Sequence, residues 1–210
     1  SGIVNEHGML GLPKDAHIFF YTCAGNKSKW SLGKTFNQRI AYSTDGGKSI
    51  AKLEGSVVKH ISEENRDPKV YWHEESKAYY MVLYLKANDF MILRSRDLKS
   101  WKKTQVLTLD QASECPDLRE VPVEGGGSRW MFWTADGFYF LGDFDGYEFK
   151  SDGVRHEAYL TGIPYAAQTI WGTEDIITIP WLRTKNKGKM YTGVMGLPRK
   201  LTLAQTPEGL

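Results

Sequence analysis

The feature that most constrains the fold of this chain is an internal repeat with a period of about fifty residues, a length typical of repeat architectures. Two apolar runs joined by a polar turn occupy residues 67–84, and this pattern is typical of a β-hairpin. The same order of apolar run, turn and aromatic run recurs at 117–134. The repeat therefore predicts a chain built from similar consecutive units.

A second part of the repeat combines a strand with a turn rich in Ser, Asp and Gly. The segment 41–49, which contains Ser-Thr-Asp-Gly-Gly, is similar to 93–101, and 140–149 again joins an apolar strand to an Asp-Gly turn. Each unit then holds about four short strands, which is the content of one blade of a β-propeller. Dividing the 210 residues by the period gives about four blades.

The composition agrees with an all-β fold. The chain has 7 Trp, 11 Tyr, 9 Phe and 21 Gly but only 8 Pro, which suits pleated surfaces joined by tight turns. Helical periodicity is not sustained anywhere, so helical solenoids are excluded. We therefore predict an all-β protein of the β-propeller type with about four blades present.

Charge and cysteine content exclude several classes of function. The 27 basic and 25 acidic residues are scattered, with a net charge of +2, so a nucleic-acid partner is not expected. The sequence contains no apolar run of about 18 residues that would span a membrane. Cys23 and Cys115 can form at most one disulfide. The five His lack metal-ligand spacing, so neither a metal nor a cofactor is expected.

Two acidic residues precede the first strand of neighbouring units. Asp67 lies before Pro68, and Glu114 lies just before Cys115-Pro116. Since the innermost strands of propeller blades converge, we expect both carboxyl groups to face one pocket. Proline biases the preceding residue toward extended backbone, so Asp67 and Cys115 are expected to be extended.

Paired carboxylates are the usual machinery of glycoside hydrolysis. The residues alone leave an alternative open, in which Asp67 and Asp117 only accept hydrogen bonds at the starts of the blades. They also leave open a propeller that binds carbohydrate without catalysis, because fold does not decide function.

Several motifs in order carry a resemblance to a known family. Arg-Asp-Pro at 66–68 and Glu-Cys-Pro-Asp at 114–117 resemble the two internal signatures of glycoside hydrolase family 32, the invertases, levanases, inulinases and related fructosidases. The segment 41–48 is similar to the family's YSTDGG stretch, 165–169 to its YAAQT stretch, and 196–203 to its LPREL run. The resemblance covers essentially the whole chain.

This resemblance implies a five-bladed propeller and assigns catalytic roles. Glu114 would be the general acid/base, and Asp67 with Arg66 would bind fructose hydroxyls and stabilise the transition state. The intact protein would cleave β-fructosyl linkages of sucrose, levan or inulin with retention. An arabinan or xylan hydrolase of a related five-bladed family is a further option. The motifs at 114–117 and 165–168 favour a fructosidase over these enzymes.

The resemblance also implies binding residues. Tyr165 and Gln168 would line the sugar pocket, although Tyr165 could equally be a core aromatic residue. Cys115 would tune Glu114 from its neighbouring position, or would only fill space. The partner is a fructose-containing oligosaccharide or polysaccharide, and a secreted or periplasmic location is favoured over a cytoplasmic one.

The chain departs from the family pattern at its catalytic nucleophile. Family members carry a nucleophilic aspartate in an Asn-Asp-Pro-Asn-Gly motif, but here the only Asp-Pro pair is Asp67-Pro68. Lys200 replaces the usual glutamate of the LPREL run. By the resemblance, we expect residues 1–210 not to include the C-terminal β-sandwich of the family. We therefore expect residues 1–210 to form a partial propeller that lacks the first blade region. We expect such a fragment to be inactive, and either to self-associate through its exposed sheet edges or to have disordered termini. The alternative hypothesis is a non-catalytic, carbohydrate-binding relic of a propeller.

Overall fold

The computed structural model describes residues 1–207 and residue 209, and almost all of its regular structure is β-strand. One turn of 3-10 helix spans Met9–Gly11. No helix in the described part of the chain has the length and apolar character needed to cross a membrane. The strands β1 to β16 are, in chain order, Gly2–Val4, His17–Cys23, Asn37–Ser43, Ala51–Lys52, Arg66–His73, Ala78–Lys86, Asp89–Ser95, Lys102–Thr108, Asp117–Pro122, Ser128–Trp133, Phe138–Phe144, Phe149–Glu157, Pro164–Thr169, Ile177–Leu182, Val194–Met195 and Arg199–Lys200.

The described strands form four antiparallel sheets of four strands each, which we number blades 1 to 4. Blades 1, 2 and 3 are simple meanders, β1 to β4, β5 to β8 and β9 to β12. In blade 4 the order is β13-β14-β15, and β16 pairs with the other end of β14. A meander of four antiparallel strands is the unit of a β-propeller. The prediction of an all-β propeller type with about four blades is confirmed.

The predicted hairpins occur at the predicted positions. Strand β5 pairs with β6 so that Tyr71 lies opposite Tyr80, and β9 pairs with β10 so that Leu118 lies opposite Phe132. These four side chains are among the most buried of the chain. The first two strands of blades 2 and 3 are thus equivalent, as the repeat indicated.

The turns that follow the third strand are also equivalent between blades. In blade 1, Oγ of Ser43 donates to Oδ1 of Asp45 at 2.8 Å. In blade 2, Oγ of Ser95 donates to Oδ1 of Asp97 at 2.9 Å. In blade 3, Oδ1 of Asp145 accepts hydrogen bonds from two backbone amides of the same turn. Short polar side chains therefore take the place of backbone partners in these turns.

The chain divides into two compact units. The first contains 1–116 with 145–149, and the second contains 117–144 with 150–210. In the first unit, the central strands β6 and β7 are buried almost throughout, which explains their continuous apolar sequence. In the second unit, the core is formed by buried residues of β9 to β11, β13 and two loops: Val121, Met131, Trp133, Leu141, Tyr159, Ala167 and Leu203.

Candidate functional site

Four of the predicted site residues meet in the first unit, and Arg66 lies at their centre. Its Nη2 donates to Oε1 of Glu114 at 2.5 Å, and its Nε lies 3.8 Å from Oδ2 of Asp67. Nη1 donates to the backbone carbonyl of Glu64 at 3.1 Å and to its carboxylate at 3.3 Å. One guanidinium thus contacts three carboxylates, using the several donors of its planar group.

The sheet register explains the orientation of this guanidinium. Arg66 begins β5 and lies opposite Tyr84 of β6. The guanidinium carbon lies 4.7 Å from the centre of the Tyr84 ring, within the range of a cation–π contact. Tyr84 is buried, so it supplies a fixed surface on which the arginine rests.

Asp67 is held from two sides. Its Oδ2 accepts a hydrogen bond from the backbone amide of Cys115 at 3.1 Å and a weaker one from Sγ of Cys115 at 3.7 Å. Its own amide donates to Oγ1 of Thr22 at 3.2 Å, and Thr22 donates to Oε1 of Gln38 at 2.7 Å. Gln38 donates in turn to the carbonyl of Asn65 at 2.9 Å. Blade 1 therefore supports the backbone that carries Asp67.

The backbone at the site is left-handed. The φ angles are +62° at Asp67, +53° at Glu114 and +42° at Cys115. The expectation that proline would hold Asp67 and Cys115 extended is wrong. Asp67 lies where the pairing of β5 with β6 shifts register, so the bulge and its hydrogen bonds override the local preference. Non-glycine residues with such angles are uncommon and cluster at functional sites.

Burial and charge decide the protonation of two groups at the site. Burial raises the pKa of the Cys115 thiol, and the nearby charges of Asp67 and Glu114 raise it further. Cys115 is therefore a neutral thiol that can donate to Asp67. Burial alone would lower the pKa of Arg66, but its hydrogen bond and ion pairs with the carboxylates outweigh that effect, so the pKa is raised.

The side chains of the site are reachable from solvent. Arg66 has 24% of its side-chain surface exposed, and Asp67 and Glu114 each have 31%. A hydroxyl group could approach both carboxylates, while most of their surface is already removed from water. The site can thus bind polyols through charged acceptors and one fixed cation.

The two remaining predicted residues lie in the second unit, on β13. The pairing of β13 with β14 shifts register between Tyr165 and Gln168, and Ala166 inside this bulge has a φ of +50°. Tyr165 is only partly buried, with the guanidinium carbon of Arg183 4.1 Å from its ring centre. Gln168 is also partly buried. Blade 4 thus has a bulge in its first strand, as blade 2 has.

Asp117 has a structural role in the second unit. It is 2% exposed, and its Oδ2 accepts hydrogen bonds from the amide and hydroxyl of Thr169 at 2.7 and 2.8 Å. This side chain ties the start of β9 to the end of β13. One alternative was that aspartates at the starts of the blades serve as hydrogen-bond acceptors. The contacts of Asp117 with Thr169 fit that alternative.

Sequence reasoning missed the residues that support the site. Thr22 and Gln38 lie opposite each other on β2 and β3, and Gln38 is fully buried. A buried amide needs hydrogen-bond partners, so a polar residue inside an apolar strand was a usable signal. Tyr84 and Glu64 carried no comparable signal, because their importance depends on where Arg66 lies.

Within residues 1–207 and 209, no group of three or more His, Cys, Asp or Glu side chains is arranged to hold a metal ion.

Comparison with known proteins agrees with the motifs. The model of the glycosyl hydrolases family 32 N-terminal domain matches residues 8–210. An invertase of Debaryomyces hansenii is 34% identical over 204 residues, covering 86% of this chain and 38% of the invertase. An extracellular exo-inulinase of Meyerozyma guilliermondii is 38% identical over 192 residues, covering 80% of this chain and 37% of the inulinase. The chain thus spans less than two fifths of these relatives.

Solved structures give the same answer. The fructofuranosidase from Schwanniomyces occidentalis complexed with fructose superposes with a TM-score of 0.87 at 26% identity. The match covers 98% of this chain and 45% of that enzyme. Because the family model matches nearly the whole length of the chain, the chain belongs to glycosyl hydrolase family 32.

Proposed function

We propose that the protein carrying this chain hydrolyses β-fructosyl linkages of sucrose, levan or inulin with retention of configuration. The observation that carries the proposal is the cluster in which Arg66 contacts Asp67 and Glu114, two partly exposed carboxylates on left-handed backbone. The names of the relatives, invertase and exo-inulinase, support a fructose-containing substrate.

Each residue of the cluster has a role that fits its contacts. Glu114 donates a proton to the departing glycosidic oxygen and later takes one from water, as the acid/base of a retaining mechanism does. Asp67, anchored through the amide of Cys115, accepts hydrogen bonds from fructose hydroxyls and stabilises the positive charge of the transition state. Arg66 keeps the two carboxylates together although both are negative.

Three further residues complete the proposal. Tyr165 and Gln168 contribute a ring and an amide to sugar binding, and both side chains are partly exposed. Cys115 acts through its backbone and its neutral thiol, by fixing Asp67. The nucleophile is an aspartate outside these 210 residues, which contain no Asn-Asp-Pro sequence.

The test is Glu114→Gln in the intact protein. The amide keeps the shape and can still accept a hydrogen bond from Arg66, but it has no acidic proton to transfer to the leaving oxygen. We expect kcat for sucrose or inulin to fall by roughly 10²-fold to 10⁴-fold with little change in KM. Glu148→Gln, an exposed glutamate of the same unit, is the control and should retain full activity.

Two outcomes would contradict the proposal. Undiminished fructose release by Glu114→Gln would remove the acid/base role. An intact protein that binds fructose but never releases it from any of the three substrates would favour the binding relic. The 210-residue chain alone should bind fructose weakly and should release no fructose from any substrate. Calorimetry measures the weak binding, with Asp67→Ala as the variant that should not bind.

A further inference from the structure

Gln38 is a buried polar residue to which the proposed function gives no role. Its side chain has no exposed surface, and Ile40, two residues along the same strand β3, is equally buried. Both backbone groups of Gln38 are anchored, because its amide donates to the carbonyl of Val58 at 2.8 Å and its carbonyl accepts from the amide of Val57 at 2.9 Å. The side chain therefore extends from a fixed backbone into a region without water, where its amide needs partners.

The hydrogen bonds of this side chain have a fixed direction. The backbone amide of Asp67 can only donate, so Oγ1 of Thr22 accepts from it at 3.2 Å. The hydroxyl of Thr22 then gives its one proton to Oε1 of Gln38 at 2.7 Å. Nε2 of Gln38 donates to the carbonyl of Asn65 at 2.9 Å. Turning the amide of Gln38 over would bring two oxygens together at Asn65, so only this orientation satisfies every group.

These hydrogen bonds hold the two peptide groups on either side of Arg66. The carbonyl of Asn65 belongs to the peptide group before Arg66, and the amide of Asp67 belongs to the peptide group after it. Because peptide groups are planar, fixing both of them fixes the φ and ψ angles of the residue between them. One buried side chain, with the help of one hydroxyl, thus sets the direction in which the side chain of Arg66 leaves the backbone.

The same segment is anchored on its N-terminal side. Asn65 has no exposed surface, and its Oδ1 accepts hydrogen bonds from the amides of Ile61 and Ser62 at 3.1 and 3.4 Å. The left-handed φ of +62° at Asp67 is unfavourable for a non-glycine residue and persists only where the surroundings impose it. The hydrogen bonds that lead from this segment to Gln38 supply such a constraint.

We propose that Gln38 is a positioning residue for fructosyl hydrolysis, acting through Thr22 on Asp67 and through the carbonyl of Asn65 on Arg66. The inference rests on the proposed function, because it gives Gln38 a part in the same reaction. Among the described residues, Gln38 forms no hydrogen bond with the carboxylate of Asp67 or of Glu114, so it acts only through its neighbours. Misplacing a group that orients the substrate by about 1 Å can reduce the rate roughly 10²-fold, so the loss of these bonds should affect catalysis.

The test compares Thr22→Val with Thr22→Ser in the intact protein. Valine keeps the shape of threonine without its hydroxyl, whereas serine keeps the hydroxyl. We expect kcat/KM for sucrose or inulin to fall roughly 10-fold to 100-fold in Thr22→Val and to stay within about threefold in Thr22→Ser. Gln38→Met, which removes both side-chain hydrogen bonds, should lose as much as Thr22→Val. A purely structural role would lower Tm but leave kcat and KM of the folded protein unchanged.

Matched controls lie on β8 of the same unit. The side chain of Gln105 also bonds to backbone through both ends of its amide, at 2.9 Å to the carbonyl and 2.8 Å to the amide of Phe149. Oγ1 of Thr104 donates to the carbonyl of Ile92 at 3.1 Å. Gln105→Met and Thr104→Val therefore remove equivalent hydrogen bonds away from the site. Both should lower Tm and leave kcat/KM unchanged.

A second measurement does not depend on activity. Hydrogen exchange followed by mass spectrometry should show the amide of Asp67 protected in the intact protein and in Thr22→Ser, and exchanging at least roughly tenfold faster in Thr22→Val and Gln38→Met. Unchanged kcat/KM in Thr22→Val and Gln38→Met, or unchanged exchange of this amide, would overturn the inference. If the intact protein cleaves none of the three substrates, the proposed function fails, and the exchange rates alone decide whether Gln38 holds Asp67 in place.

Discussion

At the scale of single residues, the candidate site depends on the geometry of one arginine. Arg66 reaches Glu114 and Glu64 with separate nitrogens and rests on the ring of Tyr84. A lysine at this position would keep the charge but would lose the planar fork and the stacking. The arrangement of the carboxylates therefore depends on guanidinium shape as well as on charge.

This dependence predicts the effect of Arg66→Lys in the intact protein. One ammonium cannot contact both carboxylates with the same directions, so substrate binding should weaken by roughly tenfold to a hundredfold, which appears as a raised KM. Stability should fall by only about 1 kcal/mol, because the pairs are partly exposed and screened. Steady-state kinetics and thermal unfolding measure the two effects. Arg96→Lys, an exposed arginine in the turn after β7, is the control. Unchanged kinetics for Arg66→Lys would contradict the central role of the guanidinium.

The sequence could indicate which residues form this site but not how their backbone is held. Asp67 and Glu114 stand out because they are acidic residues at equivalent points of a repeat. The preference for extended backbone before a proline, which we applied to Asp67, arises only from contacts between neighbouring residues. It fails because the amide of Asp67 bonds to Thr22, a residue far away in sequence. Contacts of this kind are set by tertiary structure and leave no local signal.

At the scale of elements, the turn after each third strand is the most regular feature of the repeat. In blade 1, Asp45 accepts hydrogen bonds from the amide of Ser49 at 3.0 Å, from its hydroxyl at 2.7 Å and from the hydroxyl of Ser43 at 2.8 Å. These bonds, led by the amide of Ser49, lower the pKa of Asp45 from 3.8 to about 2. The ionised carboxylate of Asp45 therefore stabilises the turn.

The lowered pKa predicts a pH dependence for this turn. Because the pKa in the folded state lies below that in the unfolded state, the contribution is complete above about pH 4 and disappears as pH falls through about 2. Asp45→Asn should therefore lower Tm above about pH 4 and match the unmodified chain near pH 2. Thermal unfolding across this range, with exposed Asp110→Asn as control, measures it. A difference in Tm that stays constant with pH would contradict the ionised turn.

Two glycines with the same φ angle allow the cost of backbone strain to be distinguished from the cost of a steric clash. Gly137 and Gly153 both have a φ of +82°. A Cβ at Gly153 would meet nothing within 4 Å, whereas one at Gly137 would lie 2.2 Å from the ring of Tyr159. Gly153→Ala should cost about 1 kcal/mol from strain alone, and Gly137→Ala about 2 kcal/mol more from the clash. Urea denaturation measures both, and equal costs would contradict the placement of Tyr159.

The elements themselves could be predicted where the sequence is regular. The hairpins of blades 2 and 3 follow from long apolar and aromatic runs, and these strands are six to nine residues long. Blade 4 is less regular, since β15 and β16 have two residues each and both pair with β14. Glycine and proline between them, at Gly196 and Pro198, interrupt the ladder. No apolar periodicity could locate strands this short.

At the scale of the whole molecule, the second unit exposes apolar side chains near its short strands. Met190 and Leu197 are at least 80% exposed, and Met195 is 66% exposed. Strands β15 and β16, which flank Leu197, are exposed along their length. Isolated apolar residues on a surface are normal, but several beside short exposed strands favour contact with another chain.

We therefore predict that the 210-residue chain self-associates through the segment 190–200. Association would remove these apolar side chains from water and add partners for the backbone of the exposed strands. Light scattering coupled to size-exclusion chromatography should give a mass above 23.9 kDa that rises with concentration. The double variant Met190→Lys with Leu197→Lys should return the mass to that of a monomer, because burying two charges would oppose contact. Leu32→Lys, equally exposed but in the first unit, should associate like the unmodified chain. A monomer at every concentration, or association unaffected by the double variant, would exclude this segment as the contact.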